Sequence, residues 1–148
     1  MGMFSAFNVN ASGMTAQRYR MDIISENVAN AQTTRTEDGT PYRRKIVTFT
    51  EKGNQTTFSK VLGHASVGYT GSGVKVSRVY EDTKTEMNKV YDPSHPDADE
   101  SGYVTYPNVN TITEMTNLID ATRGYEANAT AFSASKSMAL KGLDVGKV

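Results

Sequence analysis

The sequence predicts an α+β fold in which two long terminal helices enclose a small β-rich middle region. Three observations support this prediction. Proline-free helical patterns occupy residues 4–31 and 111–143, the period of the apolar residues changes to two after Tyr42, and all four prolines fall at positions 41, 93, 96 and 107. We therefore expect an N-terminal helix within residues 1–34, a β-rich domain at 35–108 and a C-terminal helix within 109–148.

The first helical pattern has an apolar seam that follows a heptad repeat. Phe7, Met14, Met21 and Val28 lie seven residues apart, and Ile24 and Ala31 follow the last two by three residues. Gly13 costs about 1 kcal/mol relative to alanine inside a helix. Since most helical stability in proteins comes from packing an amphipathic face, this helix is expected to fold on a partner.

The second helical pattern starts at a candidate capping box. Thr111 and Glu114 have the spacing at which each side chain can bond the amide of the other residue. Apolar or small residues then form a seam, at steps of three, four or seven: Met115, Leu118, Thr122, Tyr125, Ala129, Phe132, Ala139 and Leu143, widened by Ile112, Ile119 and Leu140. A helix of this length would span about 50 Å, and the small residues in its seam predict a coiled-coil-like packing element.

The middle region reads as strands and turns. The period-two pattern of apolar residues after Tyr42 predicts a strand. Strands are also predicted at residues 55–62 and 74–80, and a weaker one at residues 85–91. Gly53-Asn54 and the glycines between 68 and 73 supply turns. The basic run Arg43-Arg44-Lys45 is interpreted as the solvated face of a strand.

Composition excludes several classes of function. The chain of 148 residues has no cysteine, so disulfides, thiolate chemistry and cysteine-ligated zinc are excluded. Its formal net charge of zero gives no argument for binding nucleic acid or an anionic membrane. No stretch approaches the roughly 20 apolar residues of a membrane span, and the N-terminus lacks the pattern of a cleaved signal peptide. If the protein leaves the cytoplasm, a dedicated machine is expected to carry it.

The acidic loop at residues 92–102 is the best metal candidate. Asp97, Asp99, Ser101 and Gly102 resemble the first half of a calcium loop, but Asn108 stands where a bidentate glutamate is needed. A solvated surface loop is the main alternative, and a contact with a neighbouring subunit through Asp92, His95, Asp97 and Asp99 also stays open.

Catalysis has little support in the sequence. His64 and His95 are the only histidines, and no Gly-x-Ser-x-Gly elbow holds a nucleophile. A hydrolase with an unrecognised serine site and a small metal-binding module are the two rivals to a structural role. We expect neither enzyme activity nor a cofactor.

Asparagines lie beside alanines at both ends of the chain and carry a family resemblance. Residues 25–31, Ser-Glu-Asn-Val-Ala-Asn-Ala, are similar to the N-terminal signature of bacterial flagellar rod, hook and filament-axis proteins. Residues 108–110, Asn-Val-Asn, then Glu114-Met115, Ile119 and residues 123–128, Arg-Gly-Tyr-Glu-Ala-Asn, resemble the C-terminal signature of the same family. The loop at 92–99 and the short chain resemble the proximal-rod members in particular.

The resemblance implies a structural subunit of the proximal rod of the flagellar basal body. It implies export through the flagellar type III apparatus without a cleaved signal, and terminal helices that are largely unstructured until they pack as the inner layer of a tube. Other rod proteins, the rod-to-ring junction protein and further copies of the chain would be its partners. The rod spans the periplasm and transmits torque from the membrane-embedded ring to the hook.

The seams and the resemblance together place the subunit contacts on the two helices. The residues expected there are Phe7, Met14, Met21, Ile24, Asn27, Val28, Ala29 and Asn30 on the first helix, and Met115, Leu118, Ile119, Tyr125, Glu126, Ala127, Asn128, Phe132 and Leu140 on the second. Asparagine in a helical seam can fix register at some cost in stability.

Overall fold

The computed structural model describes residues 3–53 and 71–146 and confirms the α+β class. Helix α1 spans Met3–Ala29 and helix α2 spans Thr111–Val145. Between them lie β1 (Lys45–Glu51), β2 (Val74–Glu81), β3 (Asn88–Tyr91) and β4 (Tyr103–Tyr106). The strand predicted at 55–62 and the side chain of His64 lie outside the described residues.

The described strands form two small sheets. β1 pairs with β2, and β3 pairs antiparallel with β4, so that Asn88 lies opposite Tyr106 and Tyr91 opposite Tyr103. The weak strand prediction at 85–91 is confirmed only for its last four residues. β4 was not predicted, because four residues between a glycine turn and a proline give too short a pattern to recognise.

The N-terminus of α2 differs from the predicted capping box. The Asn110 side-chain oxygen accepts hydrogen bonds from the amides of Ile112 at 3.0 Å and Thr113 at 3.1 Å, and its carbonyl oxygen accepts the Glu114 amide at 2.9 Å. Asn110 is therefore the cap, and the assignment to Thr111 was wrong by one residue. The Glu114 side chain does not return to the cap, since it is buried and bonded elsewhere.

The chain divides into two compact units. The first unit contains Met1–Tyr19, Phe49–Ser77 and Thr122–Val148, and the second contains Arg20–Thr48 and Arg78–Ala121. In the second unit the buried side chains are both apolar and polar: Ile24, Tyr42, Val104, Pro107, Val109 and Ala121 beside Asn27, Asp82, Asn108 and Glu114. In the described part of the first unit only Gly13 and Ala16 are fully buried.

A close approach within the first unit brings α1 to the start of β2. The Ser12 hydroxyl accepts the Val74 amide at 3.1 Å, and a Cβ at Gly73 would overlap that hydroxyl. Gly73 also has a φ of 92°, a conformation that side-chain-bearing residues rarely adopt. Among the helices of residues 3–53 and 71–146, none is both long enough and apolar enough to cross a membrane.

Limited digestion of the isolated chain with trypsin should cut the first unit before the second. Local opening needs less free energy where few side chains are buried, so cleavage at the exposed Lys136 and Lys141 should precede cleavage at Arg44 and Lys45. Mass spectrometry of fragments sampled over time gives the order. Cleavage after Arg44 as fast as after Lys136 would contradict the difference between the units.

Candidate functional site

Asn27, from the N-terminal motif, lies at the centre of a buried hydrogen-bond network in the second unit. It is 1% exposed. Its amide nitrogen donates to the Lys45 carbonyl at 2.9 Å and to the Glu114 carboxylate at 3.1 Å, while its oxygen accepts from the Tyr42 hydroxyl and the Lys45 amide, both at 2.9 Å. An asparagine side chain offers two donors and two acceptor positions. All four are occupied here.

Glu114, from the C-terminal motif, is a buried carboxylate with a fixed cationic partner. It is 1% exposed, and one of its oxygens accepts the Arg44 Nε at 2.9 Å and the Arg44 Nη2 at 2.7 Å. The other oxygen accepts the amide of Asn27. A buried charge is tolerated when it is both paired and hydrogen-bonded, and Glu114 meets both conditions.

Asn108 extends the network to the end of β2. Its oxygen accepts the Arg44 backbone amide at 2.9 Å, and its nitrogen donates to the carbonyls of Asp82 at 2.9 Å and Thr85 at 3.2 Å. The Asp82 amide in turn donates to the Arg44 carbonyl at 2.8 Å. Asn108 therefore fixes the residue before β1 against the residues that follow β2.

Two ionisable groups at the edge of the network have shifted pKa values. The hydroxyl and amide of Thr85 and the amide of Lys84 donate to the Asp82 carboxylate and hold its pKa below the ordinary value, with Arg44 nearby at 3.9 Å. Burial raises the pKa of Tyr42 to about 12, and the carboxylates of Glu26, Glu81 and Glu114 add to the effect. Tyr42 thus remains a neutral donor to Asn27 over the whole physiological range.

The arrangement is a structural joint. The functional groups of Asn27, Asn108 and Glu114 are committed to partners within the chain. Within residues 3–53 and 71–146, no group of three or more His, Cys, Asp or Glu side chains is placed to hold a metal ion. What the site does is connect the N-terminal motif, the start of β1 and the C-terminal motif.

Comparison with known proteins agrees with this layout. The family described as "Flagella basal body rod protein" matches residues 7–35, and "Flagellar basal body rod FlgEFG protein C-terminal" matches residues 100–145. The flagellar basal-body rod protein FlgC of Bacillus subtilis is 47% identical, covering 99% of this chain and all of that protein. The FlgC proteins of Borreliella burgdorferi and Escherichia coli O6:H1 are 44% and 37% identical, covering 93% and 99% of this chain, and 93% and 100% of those proteins.

The chain belongs to the FlgC family of flagellar basal-body rod proteins. The recognition made from the two motifs is confirmed, and both motifs contribute to the joint: Asn27 comes from the first, and Asn108 and Glu114 from the second.

In the first unit of this rod protein, α1 and α2 meet at an aromatic pair and at two glycines. The rings of Phe7 and Phe132 meet edge to face with centroids 5.0 Å apart. A Cβ at Gly13 would lie 2.5 Å from the side-chain oxygen of Asn128, and a Cβ at Gly124 would lie 3.2 Å from the Gln17 side chain. The two helices approach closely at these glycines, and a side chain at Gly13 would force the end of the Asn128 side chain to move.

The other residues expected at subunit contacts differ widely in burial within the single chain. Ile24 and Asn27 are buried, whereas Phe7, Met14, Met21, Val28, Asn30, Leu118, Asn128 and Phe132 are half-buried. Ala29, Met115, Ile119, Tyr125, Glu126, Ala127 and Leu140 are exposed. These exposed residues are not part of the core among the described residues, and their role as subunit contacts stays a prediction.

The acidic loop uses its carboxylates to hold its own shape. Asp92 accepts from Ser94, Asp99 accepts from the amides of Ser101 and Tyr103, and Asp97 accepts the Thr34 hydroxyl at 2.8 Å. The His95 Nδ1 accepts the Asp97 amide at 3.1 Å. These bonds support a rigid loop, and no calcium-type arrangement is seen among the described residues.

Sequence reasoning missed the role of Arg44. The run Arg43-Arg44-Lys45 was interpreted as a solvated strand face, which is wrong for Arg44, because its guanidinium binds buried Glu114. Lys45 also forms an ion pair, with Glu26. The partner of Arg44 lies 70 residues away, so only the glutamate within the C-terminal motif could have hinted at the pair.

Glu114→Ala should lower the free energy of unfolding of the isolated chain by about 3–5 kcal/mol, because Arg44 and Asn27 would keep buried polar groups without a partner. Urea unfolding followed by circular dichroism measures the change. Glu126→Ala, which removes an exposed glutamate from the same helix, should stay within about 0.5 kcal/mol. Equal effects of the two substitutions would show that the joint does not stabilise the fold.

Asp82→Asn should change how stability depends on pH in acid. The pKa of Asp82 is lowered in the folded state, so the unfolded chain takes up the proton first as pH falls. The stabilisation is present above about pH 4, near the ordinary aspartate pKa, and is lost as pH falls through the lower folded-state value. The difference in unfolding free energy between the two chains should therefore shrink below about pH 4, whereas a difference independent of pH would contradict the assignment.

Proposed function

We propose that the chain is a structural subunit of the proximal rod, the part of the flagellar drive shaft that carries torque from the membrane-embedded ring to the hook. The main support is the buried bond between Asn27, near the end of α1, and Glu114, near the start of α2, which joins the two family motifs. A subunit that transmits torque must keep its helices in fixed register. A hydrogen-bond network in which every polar atom is paired fits only one register of the helices.

Exposed apolar side chains on α2 support packing against neighbours. Ile112, Met115, Met138, Leu143 and Val145 are each more than half exposed, with Val145 and Ile112 at 76%. A monomer that keeps such residues in water gains free energy by covering them in an assembly. On this proposal residues 1–34 and 109–148 contribute to the inner helical layer, and residues 35–108 form the β-rich part outside it.

The partners follow from the same proposal. Other rod proteins and further copies of the chain would cover the helices, and the rod-to-ring junction protein would meet the rod at its base. The subunit would reach the periplasm through the flagellar type III export apparatus, without a cleaved signal. Its role would be structural rather than enzymatic. A metal-binding role gains no support, since Asp92, Asp97 and Asp99 are engaged within the loop and with Thr34.

Ala127→Asp should abolish swimming when it replaces the native chain, and Ala29→Asp should act in the same way. Both alanines are exposed in the single chain, so its folding should change little. Burying a lone charge between packed helices costs several kcal/mol. Motility assays and electron microscopy of isolated basal bodies provide the measurement.

Thr83→Asp is the control, because it adds the same charge at an exposed position in the loop after β2. It should leave both swimming and rods intact. Circular dichroism of the purified variants separates failed assembly from failed folding. Normal rods built from the Ala127→Asp chain would overturn the proposed packing.

A further inference from the structure

His95, in the acidic loop, accepts a hydrogen bond at a ring nitrogen that a proton would otherwise occupy. Its Nδ1 lies 3.1 Å from the amide nitrogen of Asp97. A backbone amide can only donate, so Nδ1 must be the unprotonated nitrogen of a neutral imidazole. In the imidazolium both ring nitrogens carry hydrogen and neither can accept. Protonation of His95 and this hydrogen bond therefore exclude each other.

The chain around His95 holds the imidazole over that amide. Pro96 follows directly, and its ring fixes its own φ and restricts the backbone of the residue before it. The His95 amide donates to the Asp92 carbonyl at 3.3 Å, and the His95 carbonyl accepts the Ala98 amide at 3.1 Å. Its ring meets the Tyr106 ring edge to face, with centroids 6.4 Å apart. The neutral imidazole is thus held in place from several sides.

Asp97 connects this hydrogen bond to the segment that follows α1. Its Oδ2 accepts the Thr34 hydroxyl at 2.8 Å, and its Oδ1 lies 3.7 Å from the Arg35 guanidinium. The Arg35 side chain is 70% exposed, so this ion pair contributes little, and the Thr34 bond is the main attachment. A cleft of about 380 Å³ lies between these residues and the acidic loop, which leaves the loop room to move once that attachment is released.

The surroundings of His95 favour a positive charge on its ring. The charged and titratable groups around it and its hydrogen-bond partner are Asp92 and Asp97 in the loop, Tyr106 on β4 and Arg35 after α1. The hydroxyl and amide of Ser94 hold the pKa of Asp92 below its ordinary value, and a positive charge on His95 adds to the effect. Asp92 therefore stays ionised and attracts the imidazolium.

We propose that His95 is a pH-sensitive latch between the acidic loop and the segment after α1. Histidine ordinarily changes its charge between about pH 5 and 8. When His95 is neutral, Nδ1 holds the Asp97 amide and keeps the Asp97 carboxylate on Thr34. When a proton from solvent binds Nδ1, the amide loses its acceptor, the imidazolium turns to the loop carboxylates, and the loop separates from Thr34. The latch operates within one copy of the chain, so it needs neither a partner nor assembly.

NMR of the isolated ¹⁵N-labelled chain tests the loss of the hydrogen bond. Between about pH 8 and about pH 5 the amide proton of Asp97 should move upfield, because it loses its acceptor. His95→Asn is the matched control, since an asparagine oxygen can accept the amide two residues on and does not titrate. Its Asp97 amide should keep one position over the whole range. Equal movement of this amide in the two chains would overturn the latch.

A distance measurement follows the release of the loop. The native chain has no cysteine, so Glu37→Cys and Glu100→Cys, both at exposed positions, can carry spin labels on the turn after α1 and on the acidic loop. Electron paramagnetic resonance should give a narrow distance distribution at about pH 8 and a longer, broader one at about pH 5. The labelled chain that also carries His95→Asn should stay narrow at both.

His95→Ala removes the acceptor altogether, so the labelled chain with this substitution should show the long, broad distribution at both pH values. A distribution that does not change with pH when His95 is present would show that the loop is not released. A distribution that broadens equally with His95→Asn would assign the titration to another group. Either result overturns the latch and leaves the proposed function untouched.

Discussion

The rest of the structure depends on the pairing of the buried Glu114 carboxylate. A charge with 1% exposure is destabilising by several kcal/mol unless it is paired and fully hydrogen-bonded. Its partners are Asn27 on α1 and Arg44 just before β1. Three segments far apart in the chain must therefore meet before Glu114 can be accommodated, and this requirement couples the N-terminal motif to the C-terminal one.

The joint specifies the fold more than it stabilises it. Apolar side chains of similar volume could replace a buried ion pair without loss of stability, but they would not supply the directional hydrogen bonds that tie the helices to one register. The network fits a single register of the helices, because Asn27 uses both donors and both acceptor positions and Asn108 is fixed between Arg44 and Asp82. What the network supplies is therefore a unique register rather than extra stability.

The long helices were predictable from the sequence and the joint was not. Periodicity over some 30 residues identifies a helix, but the buried face of α1 includes Ala16, Ile24 and Asn27 rather than the full seam through Phe7, Met14 and Met21. Asn110 and Thr111 are both good capping residues by type. Asn110 is the cap, because the Glu114 side chain is buried and cannot complete a capping box with Thr111. Arg44 looked like a surface charge because its partner is distant in sequence. Tertiary pairing overrides local pattern at each of these points.

The two units solve different packing problems. The second unit closes its own core with apolar and polar side chains, so its fold is complete within one chain. The first unit relies on the contact of Phe7 with Phe132 and on glycines that admit Asn128 and Gln17. Its end of α2 leaves Met138, Leu140, Leu143 and Val145 more than half exposed. A helix that continues beyond its own core in this way leaves apolar surface in water, and covering that surface would be favourable.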